Sequence, residues 1–183
     1  MPAELNIPTR LETPKGLRIH IGLFGRRNAG KSSLINALTN QQIAIVSDVP
    51  GTTTDPVEKA CELAPVGPVV FIDTAGIDDV GKLGHLRTDR TMSVLGWMDL
   101  ALIVCDAAGI TDYEKELFRI VTANKTPAIV VLNKTDLHAP EAPVISTIKS
   151  FNLPFVSVSA SEHIGIDTLR SAIIRTIQEE TEP

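Results

Sequence analysis

Cysteine, aromatic residues, basic charge and long apolar runs are all scarce in this chain, and each scarcity excludes a class of function. Of 183 residues only Cys61 and Cys105 are cysteines. Both sit in strand-like runs, as small buried residues rather than ligands, and no disulfide between them is expected. No C-x-H or H-C-x-x-C pattern is present, and His20, His138 and His163 do not stand at metal-ligand spacing. No iron–sulfur cluster is therefore expected in this chain. No apolar run reaches the roughly 18 residues that would cross a membrane. The first residues, "MPAELNIPTRLETPKG", lack the apolar core of a signal peptide, so a reducing, cytoplasmic setting is expected. Basic charge is also short: 17 Lys and Arg against 22 Asp and Glu leave a net charge of −5. A free-standing nucleic-acid binder normally carries a basic face, so no nucleic-acid partner is expected.

What is present is the composition of one soluble domain with a full core, 43% hydrophobic and 21% charged. Residues 1–16 are polar and proline-bearing and read as an arm or linker; residues 181–183 read as a tail. Between them, over 17–180, strand-like and helix-like segments alternate. Strands are predicted at 17–24, 56–63, 68–73, 99–107, 127–134 and 154–160. Helices are predicted at 31–40, 85–97, 112–124, 142–151 and 165–180, with Asp112 as the candidate cap of the third and Glu114 adding charge to its first turn. Pro56 marks the 56–63 segment as an edge strand. Alternation of this kind implies an α/β fold: a mostly parallel sheet of about six strands with helices on both faces. Ligands of such sheets bind beyond the carboxyl ends of the strands.

Four motifs fall at those ends. "GRRNAGKS" (25–32) fits G-x-x-x-x-G-K-[ST] between a strand and a helix. Its glycines, Gly25 and Gly30, let the backbone curl so that N–H groups point at phosphate oxygens, and the helix N-terminus adds favourable partial charge. Gly25, Arg26, Arg27, Asn28, Ala29, Gly30, Lys31, Ser32 and Ser33 form the expected cradle. Lys31 reaches the β- and γ-phosphates, and the Ser32 hydroxyl is a magnesium ligand. "FIDTAG" (71–76) supplies Asp73, behind the magnesium, and the Gly76 N–H, which can register the γ-phosphate. "VVLNKTD" (130–136) suits guanine: Asp136 accepts from N1–H and the 2-amino group, Asn133 bonds the opposite edge, and the Lys134 stem lies along the ring. "SVSAS" (157–161) places Ser159 and the Ala160 N–H within reach of the guanine O6.

In this order and spacing, over about residues 17–180, the four motifs resemble the small GTPase-type P-loop domain, which implies GTP rather than ATP. "NAGKSS" together with "IAIVSDVPGTTTD" (43–55) resembles the TrmE/Era-like branch of tRNA-modifying and ribosome-assembly GTPases. That resemblance makes Thr53, among Thr52, Thr53 and Thr54, the first-switch magnesium ligand. It also implies that Asn28 holds a potassium ion between the α- and γ-phosphates, with the Ser47 and Val49 carbonyls and Thr52 completing its ligands. Stabilisation of the loop by Asn28 itself is the other reading. The residue after "DTAG" is Ile77, where many signalling GTPases carry a glutamine that orients water, and Arg26, Arg27, Arg87 and Arg90 stay unassigned as charge neutralisers. The chemistry is thus expected of Lys31, Asn28, Thr53 and Gly76.

The longer stretches "GTTTDPV" and "DTAGIDDVGKLG" resemble the GTPase domain of the FeFe-hydrogenase maturation GTPases, the HydF family; Thr54 stands where the tRNA-modifying relatives would show an arginine. This resemblance implies hydrolysis of GTP to GDP and phosphate with magnesium and potassium, acting as a switch in H-cluster maturation. The implied partners are the C-terminal domains of a full-length chain, other hydrogenase maturation proteins and a second copy of the chain. A nucleotide-gated interaction module and an RNA-linked GTPase are the alternatives. Asp78, Asp79, Lys82 and His85 of the second-switch stretch read as a solvated loop. Trp97 reads either as core or as an inter-domain anchor.

Overall fold

The computed structural model describes residues 18–39, 57–74 and 88–182. Its elements in chain order are β1 (Ile19–Phe24), α1 (Lys31–Thr39), β2 (Val57–Leu63), β3 (Gly67–Asp73), α2 (Thr88–Leu95), β4 (Leu100–Asp106), α3 (Asp112–Ala123), β5 (Ala128–Asn133), α4 (Ala142–Ser150), β6 (Phe155–Ser157) and α5 (Ile166–Thr181). Six strands form one sheet in the order β2-β3-β1-β4-β5-β6. All neighbours are parallel except β2, which runs antiparallel to β3 at the edge of the sheet.

Alternation along each strand divides the core in two. Ile21, Leu23, Leu100, Leu102 and Val104 face α1 and α5, packing with Leu34, Leu38, Leu169 and Ile173. Phe24, Ala101, Ile103 and Cys105 face the other way, with Val94 of α2, Leu117 and Phe118 of α3 and Ile148 of α4. The central strands are therefore apolar on both faces, which is why they read as unbroken hydrophobic runs. The register brings the strand ends to one edge, with β4 and β5 running three residues past β1: Leu23 lies beside Asp73, Phe24 beside Ile103, Asp106 beside Asn133, and Leu132 beside Ser157.

Two expectations shift. β6 ends at Ser157 rather than at residue 160. The backbone beyond it is claimed by other partners: the Val158 carbonyl accepts from the N–H and hydroxyl of Thr135, and the Ala160 N–H goes to a side chain of β5. The cap of α3 is Thr111, not Asp112. The Glu114 carboxylate turns back onto the Thr111 N–H (2.8 Å), a reciprocal capping arrangement in which the acid three residues on does the capping. For Trp97, read as either core or inter-domain anchor, the structure removes the core reading: it is 46% exposed and packs edge-on against His20. Both cysteines are buried, as expected; burial pushes the Cys61 thiol up to about 11.

Candidate nucleotide site

The phosphate loop leaves β1 through Gly25, whose φ of 151° no side chain would favour and whose Cβ would strike the Val104 carbonyl at 2.3 Å. The loop closes at Gly30, φ 97°, where a Cβ would lie 2.2 Å from the Asn133 amide nitrogen. Both glycines are thus required by close approach. Gly30→Ala is expected to displace either the loop or Asn133, lowering stability by about 1–3 kcal/mol for the strained backbone alone and weakening GDP binding; thermal unfolding and a GDP titration check it.

Asn28 has φ 68°, a left-handed conformation that asparagine tolerates better than most residues, and it is exposed at the loop crest with its neighbour Arg27; Ser33, in the first turn of α1, is exposed as well. Backbone geometry therefore gives this asparagine a local reason to be there, whatever its side chain binds.

Lys31 opens α1 and is buried, an unfavourable place for a cation at the positive end of a helix. The carbonyls of Gly25 and Arg26 hold its ammonium group and offset that cost. Beside it the Ser32 hydroxyl donates to the Asp73 carboxylate at 2.9 Å. Asp73 is the buried last residue of β3, and the Thr74 hydroxyl ties that strand end to the Leu23 carbonyl of β1 at 2.6 Å. The two motifs meet because their strands are neighbours in register.

On the other side Asn133 stitches three motifs together. Its amide nitrogen donates to the Ala29 carbonyl at 3.0 Å, and its amide oxygen accepts the Ala160 N–H at 3.0 Å. Both ends of this buried amide make bonds within the protein, and the Ala160 N–H points at Asn133. Asp136 is exposed, and its carboxylate accepts the hydroxyl of the fully buried Ser159 at 2.8 Å. Lys134, φ 64°, extends its ammonium to Asp106, 3.6 Å away at the end of β4.

Sequence reasoning missed Asp106 and Thr111, and gave Glu114 only a charge in the first turn of α3. Asp106 follows the same rule as Asp73, a carboxylate at a buried strand's end. "TDYE" (111–114) carries the reciprocal cap pattern, which assigns the cap to Thr111. That Glu114 is bonded to Arg26, 88 residues earlier, has no local signal. Burial pushes the Cys105 thiol upward, Glu114 adds to the shift and Arg26 opposes it. Thr53, Gly76, Ile77, Ser47, Val49, Thr52, Thr54 and Arg87 lie outside the described residues. Arg90 lies on α2, exposed.

Ser32 in the first turn of α1 and Asp73 at the end of β3 offer adjacent hard oxygen donors, a set that suits magnesium, which is usually held by one or two protein oxygens together with nucleotide phosphates and water. Among the described residues no helix is long and apolar enough to cross a membrane.

Residues 20–134 match the family model described as 50S ribosome-binding GTPase. The tRNA modification GTPase MnmE of Picosynechococcus sp. is 37% identical over 87% of this chain and 35% of its own length. GTPase Der of Wolinella succinogenes is 35% identical over 91% of this chain and 37% of its own. The chain thus spans about a third of these relatives. Two crystal structures of Era superpose with a TM-score of 0.65 at 28% identity, covering 86% of this chain and 56% of theirs. One is Aquifex aeolicus Era bound to GDP·AlF4−; the other holds MgGDPNP and nucleotides 1506–1542 of 16S ribosomal RNA.

Proposed function

The chain belongs to the 50S ribosome-binding GTPase family, and on that premise we propose that it binds GTP with magnesium, hydrolyses it to GDP and phosphate, and works as a switch between the two nucleotide states. The observation that carries this reading is Asn133, whose one amide joins the phosphate loop to the loop after β6, so that phosphate and base residues share a single rigid frame.

In this reading Lys31 and the loop amides hold the β- and γ-phosphates. Ser32 and Asp73, with Thr53, hold magnesium, which neutralises charge on the phosphate oxygens. Asp136, oriented by Ser159, accepts the two donors of guanine's Watson–Crick edge. Lys134, drawn out by Asp106, lies along the ring face. Asn133 holds Ala29 and Ala160 in place while bonding the base's other edge. The Gly76 N–H registers the γ-phosphate.

Asn28 is the proposed protein side chain for a potassium ion, with Ser47, Val49 and Thr52. Its carboxamide oxygen is a neutral, hard donor at the loop crest, and a monovalent cation there would do the work of an arginine or a glutamine. Phosphate release measured in potassium and in sodium buffers tests hydrolysis and the ion together. Turnover in potassium is expected to exceed that in sodium about tenfold, the effect of roughly 1.4 kcal/mol on the barrier, and Asn28→Ala is expected to abolish the difference. Equal rates in the two salts would leave Asn28 with its backbone role alone.

For the biological output, the relatives' names favour a tRNA-modifying or ribosome-assembly GTPase, in which case RNA or the rest of a longer chain receives the signal. A sequence observation favours a second reading, hydrogenase maturation: "GTTTDPV" and "DTAGIDDVGKLG", with Thr54 at the expected arginine position. RNA binding that weakens steeply with salt supports the first; nucleotide-dependent binding of hydrogenase maturation proteins supports the second. In both, partner binding that is the same with GDP and with a GTP analogue would remove the switch.

A further inference from the structure

The Arg26 guanidinium of the phosphate loop has a defined partner. Its Nε donates to Glu114 Oε1 at 2.7 Å. Glu114 is 1% exposed, so its carboxylate is desolvated and depends on its partners. Its other oxygen accepts the Thr111 N–H at 2.8 Å and the Thr111 hydroxyl at 2.5 Å. A single buried carboxylate therefore spans from the N-terminus of α3 to the second residue of the loop. The mount is rigid: Leu117 and Phe118, one turn further along α3, are fully buried against Phe24 and the β4 face.

We propose that Arg26 and Glu114 form a clasp that sets the shape of the phosphate loop, and that Arg26 is a positioning residue rather than the group that neutralises charge in the transition state. The backbone of Arg26 transmits the effect. Its carbonyl accepts the Ala29 N–H at 3.1 Å and the Lys31 ammonium at 3.5 Å. Fixing the Arg26 side chain thereby fixes the turn that precedes Gly30 and the carbonyl on which Lys31 rests. α3 is thus built into the nucleotide site through the loop. This inference rests on the GTP-binding reading above and adds to it the device that orders the loop.

The two roles differ in what they do to GDP. A group acting only on charge that develops at the γ-phosphate leaves GDP affinity untouched and lowers kcat. A clasp that shapes the loop around the α- and β-phosphates alters GDP affinity as well. The test is GDP titration, with GTPase kcat and KM, on the wild-type protein and on Arg26→Ala, Arg26→Lys, Glu114→Gln and the Arg26→Ala/Glu114→Gln double variant. Arg26→Ala is expected to weaken GDP binding by about tenfold and to lower kcat/KM by up to about 10²-fold, the cost of misplacing a bound reactant by an ångström. The double variant is expected to match the single ones, since both residues act as one unit. Arg26→Lys, which keeps a cation for the buried carboxylate, is expected to recover part of the GDP affinity. Arg26→Ala with lowered kcat and unchanged GDP affinity would overturn the proposal and return Arg26 to the transition state. So would additive effects in the double variant. A wild-type protein that does not bind GDP would instead defeat the GTP-binding reading and the clasp with it.

Discussion

Asp136→Asn is expected to lose guanine nucleotides and to gain xanthine nucleotides. The carboxylate of Asp136 accepts from both N1–H and the 2-amino group of guanine, two bonds to a charged acceptor worth about 1.5–3 kcal/mol each. A carboxamide keeps one acceptor and turns its NH2 towards the 2-amino group, donor against donor. The loss in GDP affinity is therefore expected to be on the order of 10³-fold, since about 1.4 kcal/mol is a factor of ten. Xanthine carries a carbonyl at position 2, which accepts from the new NH2, so XDP affinity is expected to rise. The fold is not expected to suffer: Asp136 is exposed and its partner within the protein, the Ser159 hydroxyl, bonds an amide oxygen as readily as a carboxylate. Competitive displacement of a fluorescent guanine nucleotide by GDP and XDP measures both halves. A variant that loses GDP without gaining XDP would mean that Asp136 shapes the loop instead of reading the base.

Lys31→Ala is expected to lower kcat/KM for GTP by about 10²–10³-fold, the usual effect of removing one preorganised charge stabiliser. Its stability should move the other way. The ammonium is buried at the positive end of α1, where the helix dipole opposes it and the carbonyls of Gly25 and Arg26 offset part of the cost. Alanine also has the better intrinsic helix propensity. The unfolding midpoint of Lys31→Ala without nucleotide is expected to equal or exceed that of the wild type, which separates a functional loss from a folding defect. A clear fall in that midpoint would assign Lys31 a structural role.

The sheet, its strand ends and the four motif positions were legible because each depends on local pattern. Continuous apolar runs such as "LALIVCD" mark strands covered on both faces, and a glycine loop between such a strand and a helix has few uses besides phosphate. The motifs' meeting also follows from the sequence, through the rule that parallel strands present their carboxyl ends on one edge. What escaped is what depends on tertiary partners. The end of β6 is decided by Thr135 and Asn133 drawing on residues 158–160, not by the β-propensity of "PFVSVSA". The exposure of Trp97 depends on where α2 stops. The pairing of Arg26 with Glu114 links segments 88 residues apart, so neither residue signals it alone. Asn133 is the clearest case: its motif named it for the base, whereas its side chain bonds Ala29 and Ala160, so it frames the site as well.

The central claim is that these strand ends make one site for guanine nucleotides. The most direct test is displacement of a fluorescent GDP analogue from the protein, with magnesium present, by GTP, GDP, ATP and ADP. The account predicts that both guanine nucleotides compete and that the adenine nucleotides compete at least about 10³-fold less well, because adenine leaves the Asp136 carboxylate without its two donors. Equal competition by ATP and GTP would contradict the account, and so would a failure of all four to compete.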